Sequence, residues 1–270
     1  HLSQLLAGYE YLVTYNGKSY DCTILSSRFI LNRMKDPCAD MPHLDLVHTA
    51  RRIWKQRLGD CSLTNIEERI LGFERGHDVA GYLIPRLYLT YLRQKRGEPL
   101  KVVFIHNQWD ILSLLALAGM AAHIYHNPAA ALSTCADLDC ISRSLQRVGQ
   151  TRSAKECCRK ALELEPEKKA AFDIMIRLAA FFKKEREWEE AVTLWQHLTE
   201  SGCREFSPAE ELAKYYEHQQ GNFSRALAYV EDVLKKIRLR EKLGLEFSPR
   251  EKEEFLYRRE RLLRKGGTSI

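Results

Sequence analysis

The sequence predicts two domains of different class: an α/β domain over residues 1–127 and an all-α array of paired helices over residues 128–270. Three observations carry this. A short apolar, β-prone run at residues 11–15 precedes an Asn16-Gly17 turn and an amphipathic stretch, the strand-then-helix order of an α/β fold. Beyond Asn127-Pro128 the pattern changes to helix pairs. In that part Ala154, Ala191 and Ala226 recur at separations of 37 and 35 residues, close to the period of a helix-pair repeat.

Leu2, Leu5 and Leu6 fall at helical spacing and Gly8 ends that segment. A buried strand at 11–15 follows, then the Asn-Gly turn, then a helix from about Asp21 to Met34 that places Asp21 at a strand-to-helix junction. Residues 43–47 read as a second short strand and 49–57 as a basic helix. Thr64 and Glu67 have capping-box spacing, which predicts a helix ending near Gly72. Ile84-Pro85 opens a helix reaching about Lys95, and a long helix then runs to about Tyr125, with Ile111, Leu114, Leu115 and Ala118 expected to bury the flanks of Asp110. Gly149, Ala154, Cys158, Ala161 and Pro166 hold the spacing of the tetratricopeptide repeat's small and packing positions. Trp188 and Trp195 flank Ala191 as Phe223 and Val230 flank Ala226, so three tetratricopeptide-like pairs are expected. A polar capping helix at 249–265 should turn Phe255, Leu262 and Leu263 inward.

At 270 residues the chain can bury a core without disulfides. Lys and Arg number 42 against 36 Asp and Glu, 15 against 12 in residues 1–130 and 27 against 24 afterwards, too mild an excess to establish nucleic-acid binding. Eight cysteines without a Cys-x-x-Cys pair fit a reducing, cytoplasmic setting and give no zinc spacing. The longest apolar run, 111–122, is shorter than the roughly 20 residues of a membrane helix, so no membrane partner is expected. The chain opens on His1 with no signal-peptide pattern and reads as a fragment.

Two segments concentrate chemistry-bearing residues: Tyr15-Asn16-Gly17-Lys18-Ser19-Tyr20-Asp21 and His106-Asn107-Gln108-Trp109-Asp110-Ile111. Each sets an aspartate near aromatic or histidine side chains. Two-cation hydrolysis of a phosphodiester requires several hard oxygen ligands around ions about 4 Å apart. His106 and Asp110, four positions apart, share one face of a helix, placing a ligand beside an imidazole suited to proton removal.

These segments resemble the second and third acidic motifs of the DEDD 3′-5′ exonucleases, in the YprB-like subgroup of ribonuclease H-like domains. Residues 43–52 and 62–72 resemble that family's connecting segments, so the resemblance covers roughly residues 1–125. It implies an α/β ribonuclease H-like domain, incomplete at its start, with Asp21 and Asp110 as ligands of Mg²⁺ or Mn²⁺ and His106 as general base. Asn16, Tyr20, Arg28 and Asn107 would be weaker substrate contacts, and the partner a DNA or RNA 3′ end. Three residues separate His106 from Asp110, as in the tyrosine type of that superfamily. The family's first motif, Asp-x-Glu, would lie upstream of His1, so the fragment by itself is expected to be inactive.

Each residue also has a plainer reading. Asp21 can be an N-cap, Asp110 a solvated helix edge, His106 a hydrogen-bonded core histidine, and Trp109 packing; Asp45 reads as a structural acceptor at a strand end. Arg28, Arg51, Arg52, Lys55 and Arg57 could meet phosphates or form a solvated face. At the level of the whole chain, the alternative is a non-catalytic scaffold whose repeats bind a protein or peptide and whose nuclease-like part is degenerate.

Overall fold

The computed structural model describes residues 2–76 and 78–267 and separates into two compact units, residues 1–160 and 161–270. The sequence pattern changes at 127/128, whereas packing divides the chain about thirty residues later. The reason is that helix α8 packs on α3.

The first unit opens with α1 (Leu2–Leu6), β1 (Leu12–Thr14), α2 (Asp21–Leu31), β2 (His43–Asp45) and α3 (Leu46–Leu58). Strands β1 and β2 form a two-stranded parallel sheet in the register Leu12↔His43, Val13↔Leu44, Thr14↔Asp45. The turn after β1 depends on two special positions. Asn16 adopts φ 61°, and at Gly17 a Cβ would stand 2.5 Å from the Thr14 Cβ, so only glycine fits under that side chain. Asp45, 3 % exposed, closes the turn: its carboxylate accepts the backbone N–H of Asn16 at 2.7 Å, of Lys18 at 3.0 Å and of Val47 at 3.2 Å. One side chain therefore ends β2, caps α3 and pins the β1–α2 connection. The plain structural reading of Asp45 accounts for all of these bonds.

Helix α4 (Leu63–Ile66) runs into a π-helical turn (Glu67–Leu71) that stops at left-handed Gly72. The expected capping box does not form. Ser62 is the N-cap and makes no side-chain cap bond, while Glu67 is buried and turned to Arg75. A short 3-10 turn (Gly81–Leu83) leads into α5 (Ile84–Gln94), which ends at left-handed Lys95. Helix α6 (Glu98–His126) follows, then α7 (Pro128–Ala131), α8 (Cys135–Arg147) and α9 (Thr151–Glu163).

Helix α6 buries the stripe Ser113, Leu117, Ala121 and Ile124. Ile111 and Leu115 lie outside that stripe, 58 % and 72 % exposed, so they do not cover Asp110 as the sequence reading expected. The helix is also long and apolar enough, by length and composition, to cross a membrane. Counting only the uninterrupted run at 111–122 underestimated it. Here it packs on α3, α5, α7 and the π-helical turn, and its first half carries the ion-paired His106 and Asp110, groups that are costly inside a bilayer.

Leu46, Ala50, Ile53 and Trp54 of α3 and Leu138, Ile141 and Leu145 of α8 are buried, and these two helices pack together. Each large side chain so buried contributes about 1.5–3 kcal/mol. Arg57 locks the same junction through the nearly inaccessible Asp137 at 2.8 Å.

The second unit holds α10 (Lys168–Lys184), α11 (Trp188–Glu200), α12 (Ser207–His218), α13 (Phe223–Lys242) and α14 (Pro249–Gly267). Consecutive helices pack together throughout. Ala154, Ala191 and Ala226 sit on α9, α11 and α13 at zero exposure, and α11 and α13 are the second helices of the packed pairs α10/α11 and α12/α13. In α14, Phe255 and Leu262 are buried, but Leu263 is half exposed and lies outside the packed face. Glu217, whose side chain has no exposure, meets Arg261 at 2.5 Å, Lys265 at 3.0 Å and Arg258 at 3.5 Å, tying α12 to α14. All eight cysteines are free.

Candidate active site

The chemistry-bearing residues of the first unit converge around Arg75, in the irregular segment between the π-helical turn and α5. Its guanidinium binds Glu67 bidentately, Nη2 to Oε1 at 2.6 Å and Nε to Oε2 at 2.7 Å. It also reaches Asp78 Oδ2 at 2.8 Å and Asp110 Oδ1 at 2.6 Å. Burial by itself would lower the Arg75 pKa; the hydrogen bonds to Glu67, Asp110 and Asp78 outweigh it and push it up. Three carboxylates around one permanent cation leave the cluster negative, and Asp110, 35 % exposed, is its opening to solvent.

His106 completes the cluster. Its Nδ1 lies 2.8 Å from Asp78 Oδ1, and its Nε2 lies 3.4 Å from Asp110 Oδ2. The i, i+4 spacing on α6 puts both side chains on one face, as the sequence implied. Arg75 Nη1 also stands 3.1 Å from Nδ1. The shorter contact to a carboxylate makes Nδ1 the protonated nitrogen, donating to Asp78, and a protonated Nδ1 cannot accept from Arg75. Asp78 thus orients the ring, and when the imidazole is neutral Nε2 is its unprotonated nitrogen. Burial raises the Asp78 pKa, but hydrogen bonds from Arg75 and His106 and the charge of His106 prevail, and it ends below the usual carboxylate range.

The remaining sequence candidates stand outside this cluster. Asp21 is the first residue of α2 and exposed, with no hydrogen bond or ion pair among the described residues. Tyr20 precedes it at 63 % exposure, Arg28 is exposed in the last turn of α2, and Asn107 is exposed on α6. Asn16 enters the geometry through its backbone N–H to Asp45. Among the described residues no hydrogen bond or ion pair joins any of these to His106 or Asp110. Trp109 packs on Phe73 with ring centroids 5.0 Å apart, in line with its packing reading.

Sequence reasoning missed Arg75 and Asp78 and gave Glu67 another role. The available signal was a charged segment, 74–78, with no helical period between two well-marked helices.

Among the described residues no group of three or more His, Cys, Asp or Glu side chains converges as a metal site. The oxygen chemistry of Asp110 Oδ2 suits a hard divalent cation, as does the uncommitted carboxylate of Asp21. Asp110 Oδ1 and both oxygens of Asp78 are already engaged. A two-cation cage is therefore incomplete among these residues.

The strand–helix arrangement and a carboxylate–histidine site on α6 accompany a match to a nuclease-fold class: residues 1–122 match the family model described as the RNase_H superfamily. The chain is also 33 % identical over 229 residues to the uncharacterized protein YprB of Bacillus subtilis (strain 168), covering 83 % of this chain and 54 % of that protein. It thus spans about half the length of the curated relative it matches. No solved structure matches it significantly.

Proposed function

We propose that the full-length parent is a divalent-metal-dependent 3′-5′ exonuclease that hydrolyses nucleic-acid phosphodiester bonds by a two-metal mechanism, and that this chain alone is inactive. The supporting observation is the Asp78–His106–Asp110 line on and beside α6, with His106 Nε2 turned to the partly solvent-open Asp110 carboxylate. Asp110 and Asp21 would hold cation, with further oxygen ligands from outside the described residues. Bound Mg²⁺ or Mn²⁺ would supply charge neutralisation at the scissile phosphate and at the attacking water. His106 Nε2 accepts the proton of that water as its oxygen attacks phosphorus and the bond to the 3′ oxygen breaks. Asp78 holds the imidazole in the accepting tautomer and stabilises its charge once protonated. Glu67 holds Arg75, and Arg75 orients Asp110.

A second reading has its own support: a non-catalytic, tetratricopeptide-type scaffold with a degenerate nuclease-like domain. It rests on the incomplete ligand set and on Arg75 occupying Asp110 Oδ1. The helix pairs α10/α11 and α12/α13 would then carry the protein or peptide partner.

Incubating the full-length parent with 5′-labelled and 3′-labelled DNA and RNA, in Mg²⁺, Mn²⁺ or chelator, separates the two. The exonuclease reading expects a descending ladder from the 5′-labelled strand and immediate release of the 3′ label, both abolished by chelation. An intact substrate under every condition favours the scaffold.

A further inference from the structure

Helices α3 and α8 enclose a second polar feature, an open cavity of about 340 Å³ lined by His48, Arg51, Arg52, Cys140, Arg143, Ser144 and Arg147. Among the described residues no carboxylate lines it. The carboxylates of α8 face other partners: Asp137 is buried against Arg57, and Asp139, also buried, holds Arg143 at 2.6 Å. His48, Arg51, Arg52 and Arg147 make no ion pair or hydrogen bond among the described residues. The inward face of α3 is spent on Leu46, Val47, Ala50, Ile53 and Trp54, which forces positions 48, 51 and 52 outward on the side where α8 presents 143 and 147.

Three uncompensated guanidiniums and a fourth shared with Asp139 therefore converge from two packed helices. The whole chain carries a formal charge of only +6, so this is a local concentration. Its physical reading is a polyanion site. Guanidinium forks match phosphate oxygens bidentately, and residues four apart on each helix are spaced by a rise of roughly 6 Å, a row instead of a single pocket. We propose that this groove binds the phosphodiester backbone of single-stranded nucleic acid through Arg51, Arg52 and Arg147, with Arg143 and Ser144 as auxiliary donors. The proposal takes nucleic acid as the partner class from the functional reading above, but it does not require hydrolysis.

The test measures binding of the 270-residue chain to a fluorescent single-stranded DNA or RNA oligonucleotide, in chelator, across a salt series. Three phosphate contacts on a single strand predict a log–log salt slope of about −2, that is, about 20-fold weaker binding between 50 and 200 mM salt. R51Q/R52Q/R147Q should remove about that whole slope, whereas R51K/R52K/R147K keeps most of it. All three side chains are exposed, and an unchanged thermal melt certifies the fold of each variant. Equal affinity and slope for wild type and the Gln variant overturns the proposal. So does absent binding at 50 mM salt, or a preference for a phosphopeptide over the oligonucleotide. Asp110→Asn distinguishes the two readings: it should leave this binding intact even though the exonuclease reading expects it to abolish cleavage by the full-length parent.

Discussion

Arg75 Nη2 stands 2.6 Å from Asp110 Oδ1 and also binds Glu67, which Nε holds as well, so the most solvent-open carboxylate of the site is oriented by an almost fully buried cation. That arrangement joins stability to function. Removing Arg75 would strand Glu67, 1 % exposed, as an unpaired buried charge.

Arg75→Ala is therefore expected to destabilise the chain by about 3 kcal/mol, the usual cost of breaking a buried pair from one side. Adding Glu67→Gln should recover part of that loss, because the stranded charge is gone. Urea denaturation of both variants checks this; a single variant as stable as wild type contradicts it.

Asp45 holds three backbone N–H groups with one carboxylate. Asp45→Ala leaves those donors unpaired at a buried junction and should cost about 2–3 kcal/mol. Thermal unfolding reads the loss, and amide exchange at Asn16 and Lys18 should speed up in step. Unaltered exchange at those two amides would rule out the clamp.

Acid should weaken the fold in two stages. Burial lowers the His43 pKa, Lys18 adds to that, and Asp45 opposes it. The unfolded imidazole binds protons first, so the stability His43 contributes is complete above about 6.5 and falls as pH drops through that value. Asp78 and Glu217 have folded pKa values below their ordinary ones. Burial pushes both upward but yields to Arg75 and His106 in one case and to Lys265 and Arg261 in the other. Their stabilisation is present above about pH 4 and disappears as pH falls through the folded values. Urea midpoints between pH 8 and 3 should show both limbs. His43→Gln should flatten the upper and Glu217→Gln the lower, and an unchanged profile in either variant would refute its assignment.

Asp78→Asn tests the tautomer argument in the full-length parent. Losing a partner that orients a catalytic imidazole costs about 10–100-fold in rate. The pH–rate profile should also lose the acidic limb that the imidazole, as general base, governs, whereas a purely structural Asp78 would lower the amount of folded protein and leave the profile's shape alone.

Local features of this fold were legible because neighbours in sequence decide them. Asn16-Gly17 announces its turn because few residues accept its backbone angles, and His106 and Asp110 share a face because a helix places i and i+4 together. Ala191 and Ala226 mark α11 and α13 because small side chains fit where packed helices touch. The ion cluster was not legible: Arg75 finds Asp110 35 positions away from a segment without periodicity, and no local rule encodes that meeting. Glu67 was misread because capping-box spacing is a local signal, and here a long-range cation outcompeted it. Ile111 and Leu115 misled because α6 is apolar on most of its circumference, so composition did not select the buried side.

The most direct measurement is 3′-end trimming by the full-length parent with Mg²⁺ or Mn²⁺, compared between wild type and Asp110→Ala. The account predicts metal-dependent trimming by the wild type and a loss of more than about 100-fold in the variant, larger than removing an outer partner gives. Equal trimming by the two proteins would contradict it.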